Sequence, residues 1–262
     1  MSEAHLTQPE LPNFISLITR KLGNDSAISK FILSWENIIF SLIIIIIISL
    51  LAILSSRKLK LIPQSRLQNA IEIFIAGVDD FVCGILGKQG RKLVPFIGTL
   101  FIYILFMNLF GLIPLMKSPT SSWSTTLGLA LCVFVYVQYI AIKQFGFLGY
   151  FDHLMGKPRG IMAFTLFIPI LMFFLHIISE LVRPISLSLR LRGNILGDDM
   201  LLAVLSKLGL AGVPFQIISL PLAIVASLIQ AVVFSLLTTI YFALVLTHEE
   251  EKEAAHRRLN IK

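Results

Sequence analysis

The chain has 262 residues, of which 56% are hydrophobic and only 14% are charged, and its formal net charge is +7. A soluble domain usually carries about 25% charged residues, so the composition excludes an ordinary soluble globular protein. In a membrane protein, excess Lys and Arg mark cytoplasmic loops, so the positive charge does not indicate nucleic-acid binding. The spacing of the two cysteines, Cys83 and Cys132, predicts neither a metal site nor a disulfide framework.

The first apolar segment predicts a transmembrane helix over residues 35–56, after a polar extramembrane segment at residues 1–34. It contains the unbroken isoleucines Ile43–Ile48. About 20 residues, rising about 1.5 Å each, cross the hydrocarbon core of a bilayer. Because the apolar run starts too late for a cleavable signal peptide, we expect the mature protein to keep this helix. The basic residues that follow it, Arg57, Lys58 and Lys60, predict a cytoplasmic anchor.

Residues 63–92 have a different pattern, which predicts an amphipathic helix. Apolar residues recur there at helical spacing, whereas Glu72, Asp79 and Asp80 lie on other faces. Such a helix lies along the membrane interface or packs against the helical bundle, and it does not span.

Four further apolar stretches predict additional spans, at about 93–115, 125–142, 161–204 and 214–247. A Gly-rich loop with Lys157 and Arg159 is predicted at residues 144–160. The last two stretches exceed the length of a perpendicular span, so we expect each to tilt strongly or to bend. Residues 248–262 form a charged tail that must lie in water. The predicted fold class is therefore an all-α integral membrane protein, with about five transmembrane helices in a membrane domain at residues 35–247.

The distribution of basic residues predicts the orientation of these spans. Most Lys and Arg lie in residues 57–92, in the 143–159 segment and in the tail. Five spans place all three segments on one face, with the N-terminus outside and the C-terminus in the cytoplasm. Four or six spans would leave one basic segment on the wrong side. The lack of an internal repeat disfavours a transporter built from inverted repeats.

The fourth span contains ionisable and amide side chains that a lipid-facing helix would exclude. They are His176, Glu180, Arg183, Arg190, Arg192, Asn194, Asp198 and Asp199. A charge at bilayer depth costs from about 3 to above 10 kcal/mol, so such residues are rare there unless they have a functional role. At about 100° per residue, all except Arg192 and Asp199 fall within a sector about 80° wide. Arg192 and Asp199 lie on the reverse face, where they are spaced to pair with each other.

Two parts of this stripe support different interpretations. Glu180 and Arg183, at i and i+3, either neutralise each other as a structural pair or take part in function. Arg190 has no acid on its face within one turn. A guanidinium stays protonated under practically all conditions, so Arg190 predicts an anionic partner on another helix or another subunit.

The last span carries a milder polar face, on which Ser227, Gln230, Phe234 and Tyr241 align. A Gln in an apolar helix often only bonds to a neighbouring helix. If this face lies opposite the Arg190 stripe, Gln230 becomes a candidate for the ion pathway.

The run RPISLSLRLRGN, at residues 183–194, resembles the signature of subunit a of F-type ATP synthases, which is roughly S-L-x-L-R-L-x-G-N. Supporting matches are NLFGLIP at 108–114, KSPT at 117–120, Gln230-Ala231 and the TIY run at 239–241. The resemblance covers about residues 90–247, and the motifs are more specific together than any one of them is alone.

This resemblance implies a non-catalytic stator subunit, without a cofactor or metal, that forms the ion channel of the membrane sector. Its implied partners are a ring of c subunits that carry carboxylates, the peripheral-stalk b subunits, other synthase subunits and the lipid bilayer. Arg190 stands where the family has its essential arginine, and Asn194 stands at an amide position. The other matched positions are Gln230 and Tyr241 in the final helix, Asp199 where many members have Glu, and His176 where relatives often have an acid.

The sequence departs from the family pattern at three positions. Arg192 replaces a bulky apolar or aromatic residue, Ala223 stands where some relatives have histidine, and Gly111 stands where some have an acid. The resemblance implies two water-filled half-channels that meet the ring on either side of the arginine. Because of these three departures, the residues along that ion path are not assigned, whereas Arg190 matches the family's arginine.

The predicted function is ion translocation in a rotary synthase, with Glu180, His176 and Asp198 lining one aqueous access path. The proton is the first candidate ion and Na⁺ the second, because the ligands on the c subunit decide between them. A bacterial plasma membrane is the predicted location, and an organelle inner membrane is the alternative. The rival function is a stand-alone secondary transporter or channel in which Arg190 binds an anionic substrate.

Overall fold

The computed structural model describes residues 14–16, 19, 31, 33–56, 66–113, 116–154 and 162–259. The predicted cytoplasmic anchor (57–60), the loop residues Lys157 and Arg159 and most of the N-terminal segment lie outside these residues. Over the described ranges the chain forms helices and short turns, without a strand. The α-helices are α1 (Glu36–Ser56), α2 (Arg66–Leu86), α3 (Val94–Phe110), α4 (Trp123–Leu154), α5 (Met162–Lys207) and α6 (Val213–Leu259).

Four of these helices are long and apolar enough to cross a bilayer, which confirms the predicted class of all-α membrane protein. Their apolar parts are Glu36–Ser55, Trp123–Gln144, Leu171–Lys207 and Val213–Leu246. Helix α3 is also apolar but has only 17 residues. Because a span needs about 17–25 residues, α3 lies at the lower limit of the range.

Helix α4 extends beyond the predicted third span and bends at its end. Gly146 takes φ 69° and ψ 162°, a conformation outside the helical region that an L-residue rarely adopts. The chain then continues as helix to Leu154. The predicted loop at 144–160 is therefore wrong for residues 144–145 and 147–154, because a single glycine redirects the helix instead of ending it.

Helices α5 and α6 form an antiparallel hairpin of unusual length. They have 46 and 47 residues, so each measures about 70 Å, against about 30 Å for a hydrocarbon core. A short 3₁₀ turn, Gly209–Gly212, reverses the chain. Gly209 has φ 58°, and a Cβ on Gly212 would clash with the Leu205 carbonyl oxygen. Glycine is therefore required at both ends of this reversal.

Helix α6 lies at the centre of the bundle, where it packs against α2, α3, α4 and α5. Helix α4 also packs along α5, whereas α1 packs mainly against α3. Together these contacts bury one continuous apolar core, which includes Ile97, Ile104, Val133, Leu187, Leu191, Phe234 and Phe242. The core thus holds α5 against α4 and α6.

The amphipathic helix α2 packs against the bundle through one face. Val82 is fully buried and Leu86 is buried, and both belong to the common core. On its outer side Asp79 pairs with Arg91 at 3.6 Å. Of the two predicted arrangements, the structure therefore contains the packing of this helix against α3 and α6.

Candidate functional site

The ionisable stripe of α5 begins with a cluster that three helices assemble. Arg183 Nη1 lies 2.6 Å from Glu180 Oε1, and Gln138 Nε2 of α4 donates to Glu180 Oε2, also at 2.6 Å. The Arg183 guanidinium lies 5.2 Å from the ring centroid of Tyr241 on α6. Charge-assisted hydrogen bonds and a cation–π contact therefore satisfy both charges of the pair within this chain.

This cluster is mostly shielded from the surroundings. The side chains of Glu180 and Arg183 are 20% and 23% exposed. A cavity of about 10 Å³ lies beside them, with Val133, Pro184 and Tyr241 among its walls. Such a volume is close to the minimum for one water molecule, and the charged walls offer it partners.

Arg190, two helical turns further along α5, has different surroundings. Its side chain is exposed, although its neighbours Leu187 and Leu191 are buried in the core. It forms no ion pair or hydrogen bond with any part of the chain that the structure describes. Gly193, one turn away, is exposed, and its missing Cβ would meet open space. The surface around Arg190 is therefore open to a partner.

Buried polar atoms without partners lie beyond Arg190 on the α5–α6 hairpin. Among the described residues, Asp198 Oδ2, Gln230 Nε2 and Ser227 Oγ are buried and have no hydrogen-bond partner. Buried polar groups are nearly always hydrogen-bonded, so these atoms require water or another chain. Asn194 and Asp199 are half-buried on the same helix.

The remaining candidates of α5 bond locally or to α4. His176 Nδ1 lies 3.1 Å from the Met172 carbonyl oxygen, one turn earlier on its own helix. The guanidinium of Arg192 lies 5.2 Å from the Trp123 ring centroid, and its Nε is buried without a partner among the described residues. Arg192 thus contacts α4, whereas its pairing with Asp199 stays a prediction.

A second polar network ties the α3–α4 connection to the bundle. Ser118 donates to the Met107 carbonyl oxygen at 3.0 Å, and Thr120 donates to Asn108 Oδ1 at 3.0 Å. Ser188 of α5 donates to Thr126 of α4 at 3.2 Å. The network therefore fixes the start of α4 against the segment of α5 that carries Arg190.

Charged residues also join this connection to α1, since Lys117 Nζ lies 3.8 Å from Glu36 Oε2. Sequence reasoning assigned no role to Glu36 or to Gln138. The sequence nevertheless contains a signal for each residue. Gln138 is an amide within the otherwise apolar third span, and Glu36 is an acid at the start of the first span.

The fold and this site define a class, a multi-pass α-helical membrane protein with ionisable side chains along one of its long helices. A profile of the ATP synthase A chain family matches residues 38–243. The chain is 42% identical to ATP synthase subunit a of Protochlamydia amoebophila, over 85% of this chain and 84% of the relative. It is 43% identical to ATP synthase subunit a of Aliarcobacter butzleri, over 66% of this chain and 73% of that relative. The chain therefore belongs to the ATP synthase A chain family, and it is a membrane subunit of an ATP synthase.

Proposed function

We propose that this chain is the ion-conducting stator of the membrane sector, and that Arg190 is the fixed charge which its rotor partner passes. The observation that carries the proposal is the exposure of Arg190 and its lack of an ion pair. A permanently charged side chain is exposed on an apolar helix and lacks an ion pair within the described part of the chain. Because an unpaired charge in hydrocarbon is costly, the geometry favours an anionic partner from another subunit.

The partner that fits is a ring of c subunits, each carrying one membrane-embedded carboxylate. Such a carboxylate is neutral when it faces lipid and ionised when it faces Arg190, because a nearby guanidinium favours the charged form. The carboxylate must therefore release its ion before it passes. Peripheral-stalk b subunits would hold this chain still against the rotation, and the nucleotide chemistry would belong to other subunits.

Two aqueous half-channels would supply and remove the ion on either side of Arg190. The unpartnered atoms of Asp198, Gln230 and Ser227 support one water-filled path along the hairpin. The half-buried His176 and Glu180 would lie along an access path at the other end of the stripe. Each ion that crosses the membrane contributes about 2.3 kcal/mol per 100 mV. Arg190 repels a cation that would otherwise pass directly between the paths, so rotation becomes the conducting route.

The location that fits the relatives is a bacterial plasma membrane, with the N-terminus outside and the C-terminus in the cytoplasm. The long apolar helices support a location in the membrane, and the positive-inside rule predicts this orientation of the termini.

Purification of the tagged chain from its native membrane tests this proposal. We expect a stable complex with a ring of small acidic proteolipids, and ATP synthesis driven by an imposed ion gradient after reconstitution. A monodisperse chain that transports a small anion by itself would support the rival transporter and overturn the rotary proposal.

A further inference from the structure

Three polar contacts join α4 to α5 in an antiparallel order. Towards the beginning of α4 they reach progressively later residues of α5: Gln138 contacts Glu180, Thr126 contacts Ser188, and Trp123 contacts Arg192. The contacts extend from residue 180 to residue 192 of α5, which is about 18 Å at about 1.5 Å per residue. Arg190 lies inside this segment, so the contacts that hold the segment also hold Arg190.

Two of these contacts lie on the side of α5 that is opposite Arg190. At about 100° per residue, Ser188 and Arg192 differ in direction by about 40°, whereas Arg190 is about 160° from each of them. The burial agrees with this geometry, since Ser188 is fully buried and Arg190 is exposed. Helix α4 therefore holds one side of α5 and leaves the Arg190 side free for a partner.

The hydrogen bond between Ser188 and Thr126 is the contact near Arg190 in which both side chains are fully buried. The two Oγ atoms are 3.2 Å apart, and Ser188 is the donor. The Thr126 hydroxyl itself donates to the backbone of its own helix, 3.2 Å from the carbonyl oxygens of Ser122 and Trp123, so it is oriented to accept from Ser188. Apolar packing is non-directional, whereas loss of this acceptor would leave a buried hydroxyl unsatisfied. The bond therefore selects one register of α5 against α4.

The register of α5 matters because Arg190 acts on a carboxylate only at short range. An opposite charge favours the ionised carboxylate when it lies within about 4–6 Å. One helical turn is about 5.4 Å, so a slip of α5 by one turn would move the guanidinium out of this range.

We propose, on the basis of the rotary function proposed above, that Thr126 is a positioning residue for ion translocation. Through its hydrogen bond with Ser188, Thr126 fixes the depth and the rotation of Arg190 in front of the rotor carboxylate.

Cross-linking at two positions of α5 measures this depth. Gly193 and Gly197 are both exposed, and a Cβ at either position would meet nothing within 4 Å. They lie on the same face, about 6 Å apart along the helix axis. Each is replaced by cysteine in turn, in an assembled complex without the native cysteines and with one cysteine beside the proteolipid carboxylate. The ratio of the two oxidative cross-linking yields reports the depth of α5, whereas poorer assembly lowers both yields together.

Thr126→Val removes the acceptor and keeps the shape of the side chain. We expect it to change the yield ratio about threefold or more, and to lower ATP synthesis by a similar factor, as expected for the loss of one hydrogen bond. An unchanged ratio in the assembled Thr126→Val complex would overturn the proposal.

Thr238→Val is the matched control on α6. Thr238 is also fully buried, and its hydroxyl also donates to a carbonyl oxygen one turn earlier on its own helix, that of Phe234 at 2.9 Å. Among the described residues it bonds to no other helix. We expect the yield ratio and ATP synthesis to stay at the level of the unmodified complex; a change as large as in Thr126→Val would show a general response to a lost hydroxyl and would contradict the proposal.

Two further variants keep the test decisive if Thr126→Val does not assemble. Ser188→Ala removes the donor of the same bond and should change the ratio in the same direction. Thr126→Ser keeps the hydroxyl and should retain both the ratio and the synthesis; a changed ratio in this variant would show that packing, and not the hydrogen bond, positions α5.

The same experiment separates this proposal from the rotary function on which it rests. Absence of cross-links from both glycine positions in the complex with native Thr126 would overturn the rotary function and the positioning role together. Cross-links whose ratio is the same with and without the Ser188–Thr126 bond would overturn the positioning role alone.

Discussion

Two halves of one helix stripe differ in how their charges are satisfied. At Glu180 and Arg183 the counter-charge, the Gln138 amide and the Tyr241 ring all come from this chain. From Arg190 to Asp198, the described residues leave a guanidinium without an ion pair and a carboxylate oxygen without a hydrogen bond. The comparison shows that the first half is complete as a monomer, whereas the second half needs water and a partner.

The difference has a direct physical cause. A half-buried ion pair gains from hydrogen bonds of 2.6 Å and neutralises itself, so it needs no charge from another subunit. An exposed cation on a helix in lipid gains nothing comparable and is retained only if a partner arrives. We therefore expect the first half to govern assembly and stability, and the second half to govern ion transport.

Replacement of Arg190 gives the largest expected effect. We predict that Arg190→Ala abolishes ion-driven ATP synthesis, with a loss of at least 100-fold in reconstituted vesicles. In the proposed mechanism, the fixed charge makes the rotor carboxylate release its ion and separates the two half-channels. Both effects are lost in this variant. Arg183→Ala serves as the control and should retain measurable synthesis; normal synthesis by purified Arg190→Ala complex would contradict the role of the guanidinium.

A conservative change at the same position should also support little ATP synthesis. Arg190→Lys keeps the charge but replaces a rigid planar fork by a flexible, strongly hydrated ammonium. We expect synthesis to fall at least tenfold, measured in the same vesicles, while assembly stays normal. Full activity would show that a point charge alone is sufficient.

Substitutions in the paired half of the stripe, at Glu180 and Arg183, should change the stability of the assembled complex. A double-mutant cycle of Glu180→Ala, Arg183→Ala and the double variant should give a coupling free energy of about 1–3 kcal/mol, since the two groups are in direct contact. Rates of thermal inactivation of the four assembled complexes measure it as a coupling of activation free energies. A coupling near zero would mean that the pair is not formed in the complex.

The smallest expected effects concern the access of water to the polar side chains of α5. Cysteines at His176, Glu180 and Asp198 should react with a water-soluble maleimide in intact membranes, whereas a cysteine at Ile46, which is exposed on the apolar helix α1, should not. Complete protection at the three positions would argue against an aqueous path along the stripe.

This labelling needs a background without the native cysteines, Cys83 and Cys132, which are both free thiols. Desolvation raises the pKa of the Cys83 thiol, and the hydrogen bond to Asp79 raises it further. A higher pKa leaves less thiolate at a given pH, so Cys83 should react more slowly than an unhindered thiol. Its rate should rise with pH up to that raised pKa, which a maleimide titration of the unmodified chain measures.

Periodicity and composition predicted the features that depend on one helix at a time. The apolar runs gave the helical membrane class, and helical spacing placed Glu180, Arg183 and Arg190 on one side of α5. The length of the last two stretches predicted helices longer than a perpendicular span, as observed.

Contacts between helices could not be predicted in this way. The approach of Gln138 to Glu180 depends on the crossing of α4 and α5, and the position of Arg192 over Trp123 depends on the start of α4. The bend at Gly146 was also missed, because a glycine near a polar segment predicts a loop as readily as a kinked helix.

Disulfide cross-linking tests most directly whether a rotor carboxylate faces the open half of the stripe. A cysteine at Gly193, which is exposed and has open space for its Cβ, is paired with a cysteine beside the proteolipid carboxylate, and Ile46→Cys on α1 is the matched control. The account predicts an oxidative cross-link from Gly193→Cys to the proteolipid and none from Ile46→Cys. A cross-link from α1 but not from α5 would contradict it.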